Sequence, residues 1–377
     1  MGPITHLPLD HSAPAAPTPP RRPTPPPPAP VARTAPTPTP PASPGVTNGA
    51  TAEATGRTAT PMPDLPAGLI TAAPATESTR TVPTTSGWIS LESWTAKNGF
   101  PKPERSIVRA TNIVYRLKTE AGTLALTVNS KLLSWNGVTC WLGFAPLLVD
   151  NRLLIHALDA RKTLEPLLQA QHLAPRPGRV VVIDPGHGGE NPGAQNVTDH
   201  HWEKEFTLDW ARRLQALLLD QGWVVYLTRT EDTDMSLPAR VEMAERLKAD
   251  LFISLHFNSA TPHKEPTGIE TYCVTPMGLP SSLVRDGHDD LATTLPNNAH
   301  DLTNLQLAER VQRALIEATG AADRGVKRAR FMGVLTPQLR PAVLIEGGFL
   351  SNPTEGKRIA TAAYRQKLAE AVAKALE

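Results

Sequence analysis

The chain has 377 residues but only two cysteines, Cys140 and Cys273. Two thiols so far apart supply no disulfide framework and no cysteine-built structural metal site. Neither sign of charge is in excess: 38 Lys and Arg stand against 36 Asp and Glu, a net +2. That balance excludes a nucleic acid or anionic membrane held by bulk electrostatics. No apolar run is long enough to cross a bilayer, so no transmembrane segment is expected. The opening residues, MGPITHLPLDHSAPAAP, also lack the continuous apolar core of a signal peptide. The HExxH pattern of helical zinc peptidases is missing too, which weighs against that class of enzyme.

Proline, by contrast, is abundant and unevenly placed. Of 39 prolines, 22 precede Trp88. Residues 1–86 hold too few large apolar side chains to offset the entropy of ordering them. They read as a disordered, extended Pro/Ala/Thr-rich tether, with a ligand for SH3-type domains as the functional alternative. Residues 88–168 read as a small β-rich accessory domain. TNIVYRLKTE and GTLALTVNSKLLSWNG alternate like strands, Gly122 and Asn136-Gly137 mark turns, and LDARKTLEPLL closes the unit as a helix with Asp159 as its expected N-cap. A second linker, APRPG at 174–178, leads into residues 179–377.

This last region alternates strand and helix patterns to the end, so its expected class is α/β: a mixed, largely parallel sheet flanked by helices. Its first strand, Val180 to Ile183, stops in DPGHGG and so displays His187 at the carboxyl end of a sheet, where open α/β folds keep their sites. His256 follows the apolar part of DLFISLHFNS, and Glu346 follows that of PAVLIEGGFLS. Glu203 opens the first helix, where a carboxylate also suits the positive helix end. Each residue alone has an ordinary structural reading, as a turn histidine, a helix-start acid or a strand-end group. Together, at the ends of elements of one sheet, they supply two imidazoles and a carboxylate. That is the donor set of a catalytic zinc site with one position left to water, and Glu346 is a carboxylate suited to act as general base.

The motifs IDPGHGGENPGA, WEKEF, TRTEDTDMSLPARVEMA, ADLFISLHFNSA, GIETYCV, DRGVKRARF and PAVLIEGGFLSNPTE resemble, in this order, the zinc-dependent N-acetylmuramoyl-L-alanine amidases of the amidase-3 family. The resemblance implies Zn2+ on His187, Glu203 and His256, with Glu346 as the catalytic glutamate. It implies peptidoglycan as substrate, cut between muramic acid and the L-alanine of the stem peptide. Residues 88–168 more loosely resemble the copper-amine-oxidase N-terminal-like modules found beside bacterial wall enzymes. Three positions depart from the family pattern: Glu205 where Asp is frequent, Phe257 where Ala is usual, and Gly347 where Thr is common. Phe257 is expected to narrow the cleft.

The chain is expected to act as a monomer in the periplasm or cell envelope, where peptidoglycan lies. The rival reading from another class is a wall-binding protein with a dead site, which would have lost a ligand or Glu346. The link Met277 to Thr303 is longer than a simple family member needs and is rich in polar residues, with Pro280, Gly287 and Pro296. Some relatives carry an inserted blocking helix at a similar place, which a partner moves. Here the link does not read as a strong helix, so a substrate-lining or purely surface loop is the first expectation, and self-inhibition relieved by a protein activator is the alternative. Within the link, His288, Asp289, Asp290, His300 and Asp301 are the side chains expected to be able to approach the metal.

Overall fold

The computed structural model describes residues 87–108, 112–169 and 178–377. The tether read over 1–86 and most of the second linker lie outside them.

The elements run β1 (Trp88–Ser90), α1 (Leu91–Lys97), β2 (Glu104–Val108), β3 (Asn112–Thr119), β4 (Gly122–Thr127), β5 (Leu132–Trp135), β6 (Val138–Trp141), β7 (Leu147–Val149) and β8 (Arg152–His156). A helical run follows: α2 (Ala157–Asp159), a π-helical turn over Ala160–Leu164, and α3 (Glu165–Leu168). Then come β9 (Val180–Pro185), α4 (Glu203–Asp220), β10 (Val224–Leu227), α5 (Leu237–Arg246), β11 (Leu251–Asn258) and β12 (Ile269–Val274). A 3-10 turn over Pro296–His300 precedes α6 (Asp301–Thr319), β13 (Asp323–Ala329), β14 (Ala342–Phe349), α7 (Pro353–Ile359) and α8 (Ala362–Ala375).

Eleven strands form one sheet in the order β10-β9-β11-β14-β12-β13-β6-β5-β4-β3-β2, and β1-β8-β7 form a separate small sheet. Strands β10, β9, β11 and β14 are mutually parallel. β12 runs antiparallel to β14 and parallel to β13. The expected mixed, largely parallel sheet is therefore the one observed in the α/β region. Its strands read as continuous apolar runs because both faces are covered. Val181 and Ile183 point into one core with Trp210, Leu214 and Leu218 of α4, while Val182 points into a second core with Phe252, Ala244 of α5 and Met332.

The two folded regions are continuous. β6 pairs with β13 at Val326↔Cys140. Thr139 N donates to Asp323 (2.6 Å), Trp141 Nε1 to Arg324 O (3.3 Å), and Arg328 to Thr163 Oγ1 and Lys162 O (2.8 and 2.7 Å). Cys140 and Cys273 are both free and buried.

Three local features run against the sequence pattern. β13, DRGVKRA, does not read as a strand because it is charged; the fold instead buries those charges in specific pairs. Asp159 does not cap a helix. Its carboxylate accepts the N–H groups of Gly143 and Phe144 (2.9 and 2.8 Å), and His156 Nδ1 accepts from Leu158 N. The stretch NPTEGKRIATAAYRQKLAEAVAKALE reads as one long terminal helix, but the structure divides it into α7 and α8, because Thr361 Oγ1 accepts from Tyr364 N and starts a new helix.

Candidate active site

β9, β11 and β14 are neighbours in the sheet and end at the same edge. In the ladder His256 stands opposite Glu346, and Leu255 opposite Pro185, two residues before His187. Glu203, the first residue of α4, comes to the same edge. The ligand atoms of His187, Glu203 and His256 all lie within 4.8 Å of one another. The rings of the two histidines meet edge to face, with centroids 4.9 Å apart.

Glu203 is buried and fully engaged. Oε2 lies 3.1 Å from His187 Nε2 and accepts from Ala194 N (3.0 Å). Oε1 lies 3.0 Å from His256 Nδ1 and accepts from Phe257 N (3.0 Å). Burial pushes this carboxyl up, but the charge and hydrogen bond of His187, then those of His256, outweigh it and hold the group far below the ordinary carboxylate range. Burial likewise pushes His187 down, and Glu203 outweighs it, so the ring sits above its ordinary value. His187 Nδ1 meets Asn191 Oδ1 at 2.9 Å, which fixes the ring from its far side. Two glycines leave the room this packing needs. A β-carbon at Gly186 would fall 2.2 Å from the His256 ring, and one at Gly193 (φ +71) would fall 2.6 Å from Glu203 Oε2.

His187 itself has φ +63, an uncommon backbone for a residue other than glycine. Two buried arginines hold the turn that imposes it. Arg240 donates to His187 O (2.7 Å) and Pro185 O (3.0 Å) and pairs with Asp184 at 2.6 Å. Arg229 donates to Pro185 O (3.1 Å) and Gly186 O (2.9 Å). Asp184 also accepts from Thr228 (2.6 Å) and Ser254 (2.8 Å). Both arginines lie in TRTEDTDMSLPARVEMA, but nothing in the sequence pattern assigns them this supporting role.

Glu346 is 1% exposed, and its Oε2 has no hydrogen-bond partner among the described residues. Burial, reinforced by the charges of Glu203 and Glu270, pushes its carboxyl well above the ordinary range; Lys327 opposes this. Beside it on β12, Glu270 accepts from Asn258 (2.8 Å), Tyr272 (2.8 Å), Arg324 (2.7 Å) and Lys327 (2.6 Å). Among four carboxylates close to the edge, then, Glu203, Glu270 and Asp184 are saturated and Glu346 alone has a bare buried oxygen.

His187, Glu203, His256 and Glu346 line one cleft of about 210 Å3. Phe257 is one of the residues that line it, and its ring packs against Trp210 and Phe206. Of the 277–303 link, none of His288, Asp289, Asp290, His300 or Asp301 lines the cleft. Asp289 pairs with Arg330, Asp301 lies 3.7 Å from Lys162, and Asp290 accepts from Thr293. The link reaches the cleft through Arg285 instead.

The family model described as N-acetylmuramoyl-L-alanine amidase matches residues 181–377, which contain every residue of this site. The chain belongs to the amidase-3 family. It is 34% identical over 195 residues to the N-acetylmuramoyl-L-alanine amidase LytC of Bacillus subtilis, covering 52% of this chain and 34% of that protein. It is 31% identical over 216 residues to AmiA of Escherichia coli, with 52% and 74% covered. With AmiC of Escherichia coli it shares 28% over 237 residues, 55% of this chain and 56% of the relative. The chain thus spans about a third of the first relative and about half of the last. Among solved structures, an N-acetylmuramoyl-L-alanine amidase from Clostridium difficile 630 is similar at 31% identity and a TM-score of 0.44, over 53% of this chain and 95% of that one.

Proposed function

We propose that the chain is a peptidoglycan hydrolase that cuts the amide between N-acetylmuramic acid and the L-alanine of the stem peptide. The observation that carries this is Glu346, a buried carboxylate with one unpartnered oxygen, set beside two histidines and Glu203 in one cleft. The donor set fits Zn2+: two imidazoles and one carboxylate, no cysteine, and ligand atoms already gathered within 4.8 Å. In this reading His187, Glu203 and His256 hold the ion. When bound, zinc acidifies a water molecule and polarises the scissile carbonyl.

The remaining chemistry belongs to the chain. Glu346 takes the proton from the attacking water, since it lines the cleft and its buried Oε2 is left unpartnered by the described residues. It then passes that proton to the amine nitrogen of the departing peptide. Asn191 keeps the His187 ring oriented, and Arg240 and Arg229 keep its loop closed under it. Residues 88–168 are an accessory unit in this reading. They extend the sheet beyond β13 and supply none of the cleft-lining side chains. Peptidoglycan as substrate places the work in the cell envelope or periplasm. Among the described residues no helix is long and apolar enough to cross a membrane.

Digestion of purified sacculi, with mass spectrometry of the products, tests the proposal. Stem peptides with a free L-alanine amino terminus are expected, and their release should stop with a chelator and resume with added zinc. Reducing-end sugars as primary products, or binding without any release, would refute it.

A further inference from the structure

The link between β12 and α6 is pinned at both feet. Arg330 donates to Pro276 O (2.9 Å) and Leu279 O (2.8 Å) and pairs with the Asp289 carboxylate. Asp289 in turn accepts from Ser281 N (2.7 Å) and Ser281 Oγ (2.8 Å). Ser282 donates from both N and Oγ to Arg328 O (2.9 Å each). Between these pins lies the sequence RDGH. His288 N donates to Arg285 O (3.3 Å), and the central pair, Asp286 (φ +57) and Gly287 (φ +71), are both left-handed. That is a type I′ turn, for which Asp-Gly is a favoured pair. Arg285 is its first residue, so its position is set by a tied and specified turn.

The Arg285 side chain lines the cleft that holds His187, His256 and Glu346. Its guanidinium carbon lies 4.5 Å from the centroid of the Phe331 ring. Its Nε is buried without a hydrogen-bond partner, and its guanidinium has neither hydrogen bond nor ion pair among the described residues. The other lining arginine, Arg240, is spent on Asp184 and three backbone carbonyls. The cleft wall therefore carries one stacked, partly desolvated cation without a counter-ion. Such an arrangement is costly unless a ligand supplies the acceptor, and the flat face on Phe331 pre-orients the guanidinium fork for one.

We propose that Arg285 is a specificity residue that binds a carboxylate of the stem peptide beyond the scissile amide. The inference rests on the amidase reading of this cleft. A carboxylate is the ligand that a planar guanidinium takes in paired hydrogen bonds, and the peptide side of the substrate supplies one at its second residue when that residue is D-glutamate with a free α-carboxyl. A guanidinium carries no lone pair for a metal, so the link contributes a substrate contact here and no competitor for the ion.

The test uses soluble glycan strands bearing uncrosslinked stem peptides, in two forms that differ only at the second residue: D-glutamate with its free α-carboxylate, or the matching carboxamide. The zinc-loaded full chain, Arg285→Ala and Arg285→Lys are compared by kcat and KM on both forms, with zinc content and Tm checked in parallel. The wild type should prefer the carboxylate form by about tenfold or more in kcat/KM. Arg285→Ala should lose that preference, chiefly through KM, with zinc and Tm unchanged, and Arg285→Lys should keep part of it. Equal handling of both forms by the wild type, or a preference that survives in Arg285→Ala, overturns the proposal. A zinc-loaded wild type that cleaves neither form overturns the amidase reading, and this assignment falls with it.

Discussion

The ring of Phe257 fills the space that a side chain at residue 347 would need. A β-carbon on Gly347 would lie 2.8 Å from Phe257 Cε1 and 2.9 Å from Trp210. The two departures from the family pattern, a large residue at 257 and none at 347, are one exchange of volume across neighbouring strands. Gly347→Thr should therefore cost about 1–3 kcal/mol by overpacking, and Phe257→Ala about 3–5 kcal/mol by leaving a cavity. The double variant should recover part of the summed loss, since the two sites share one space. Denaturant midpoints of the four proteins measure this. Strict additivity would show that the ring and the glycine are independent.

Arg240 matters through what it holds. It is 3% exposed, pairs with the buried Asp184 and donates to the carbonyl of His187. Arg240→Ala leaves a buried carboxylate without its cation, a loss of about 3–5 kcal/mol. Zinc affinity should fall in the same variant, because the left-handed turn at His187 loses its tie. A variant with lowered Tm but unchanged zinc affinity would assign Arg240 to stability alone.

Glu270 sets a pH dependence in the acid range. Burial pushes its carboxyl up, but Lys327 and then Arg324 outweigh it and bring it to about 2, against an ordinary 4.5. The unfolded chain takes up this proton first as pH falls. The stabilisation from Glu270 is therefore complete above about pH 4.5 and is lost as pH falls towards 2. A shift of this size corresponds to roughly 3 kcal/mol. Glu270→Gln should be less stable than the wild type at neutral pH, and the gap should close across that window. A gap that stays constant down to pH 2 would contradict the assignment.

Much of this was legible in the sequence because apolar runs that stop in polar residues mark strand ends. Val180–Ile183, DLFISLH and PAVLIE each did so, and the fold sets their last residues at one sheet edge. Glu203 was legible as a helix-start acid, and its burial beneath two histidines was not, since that depends on where α4 meets β11. β13 was missed because its charges mimic a loop, and only the fold supplies partners such as Glu270 and Thr163. Arg285 went unnoticed for a different reason. The His and Asp side chains of the link are its recognisable candidates, but the side chain that enters the cleft is a cation whose placement depends on Asp289 and Arg330. Phe257 lines the cleft as its position beside His256 suggests, whereas the packing of its ring on Trp210 depends on where α4 crosses the sheet.

Glu346→Gln gives the most direct test of the central claim. The change keeps the shape of the side chain and removes its capacity to take a proton. Wild type and variant, both loaded with zinc, are compared for metal bound per chain and for L-alanine amino termini released from sacculi. The account predicts about one zinc in each, with release from the variant reduced by about a hundredfold or more. Release near the wild-type rate from a fully loaded Glu346→Gln would contradict it.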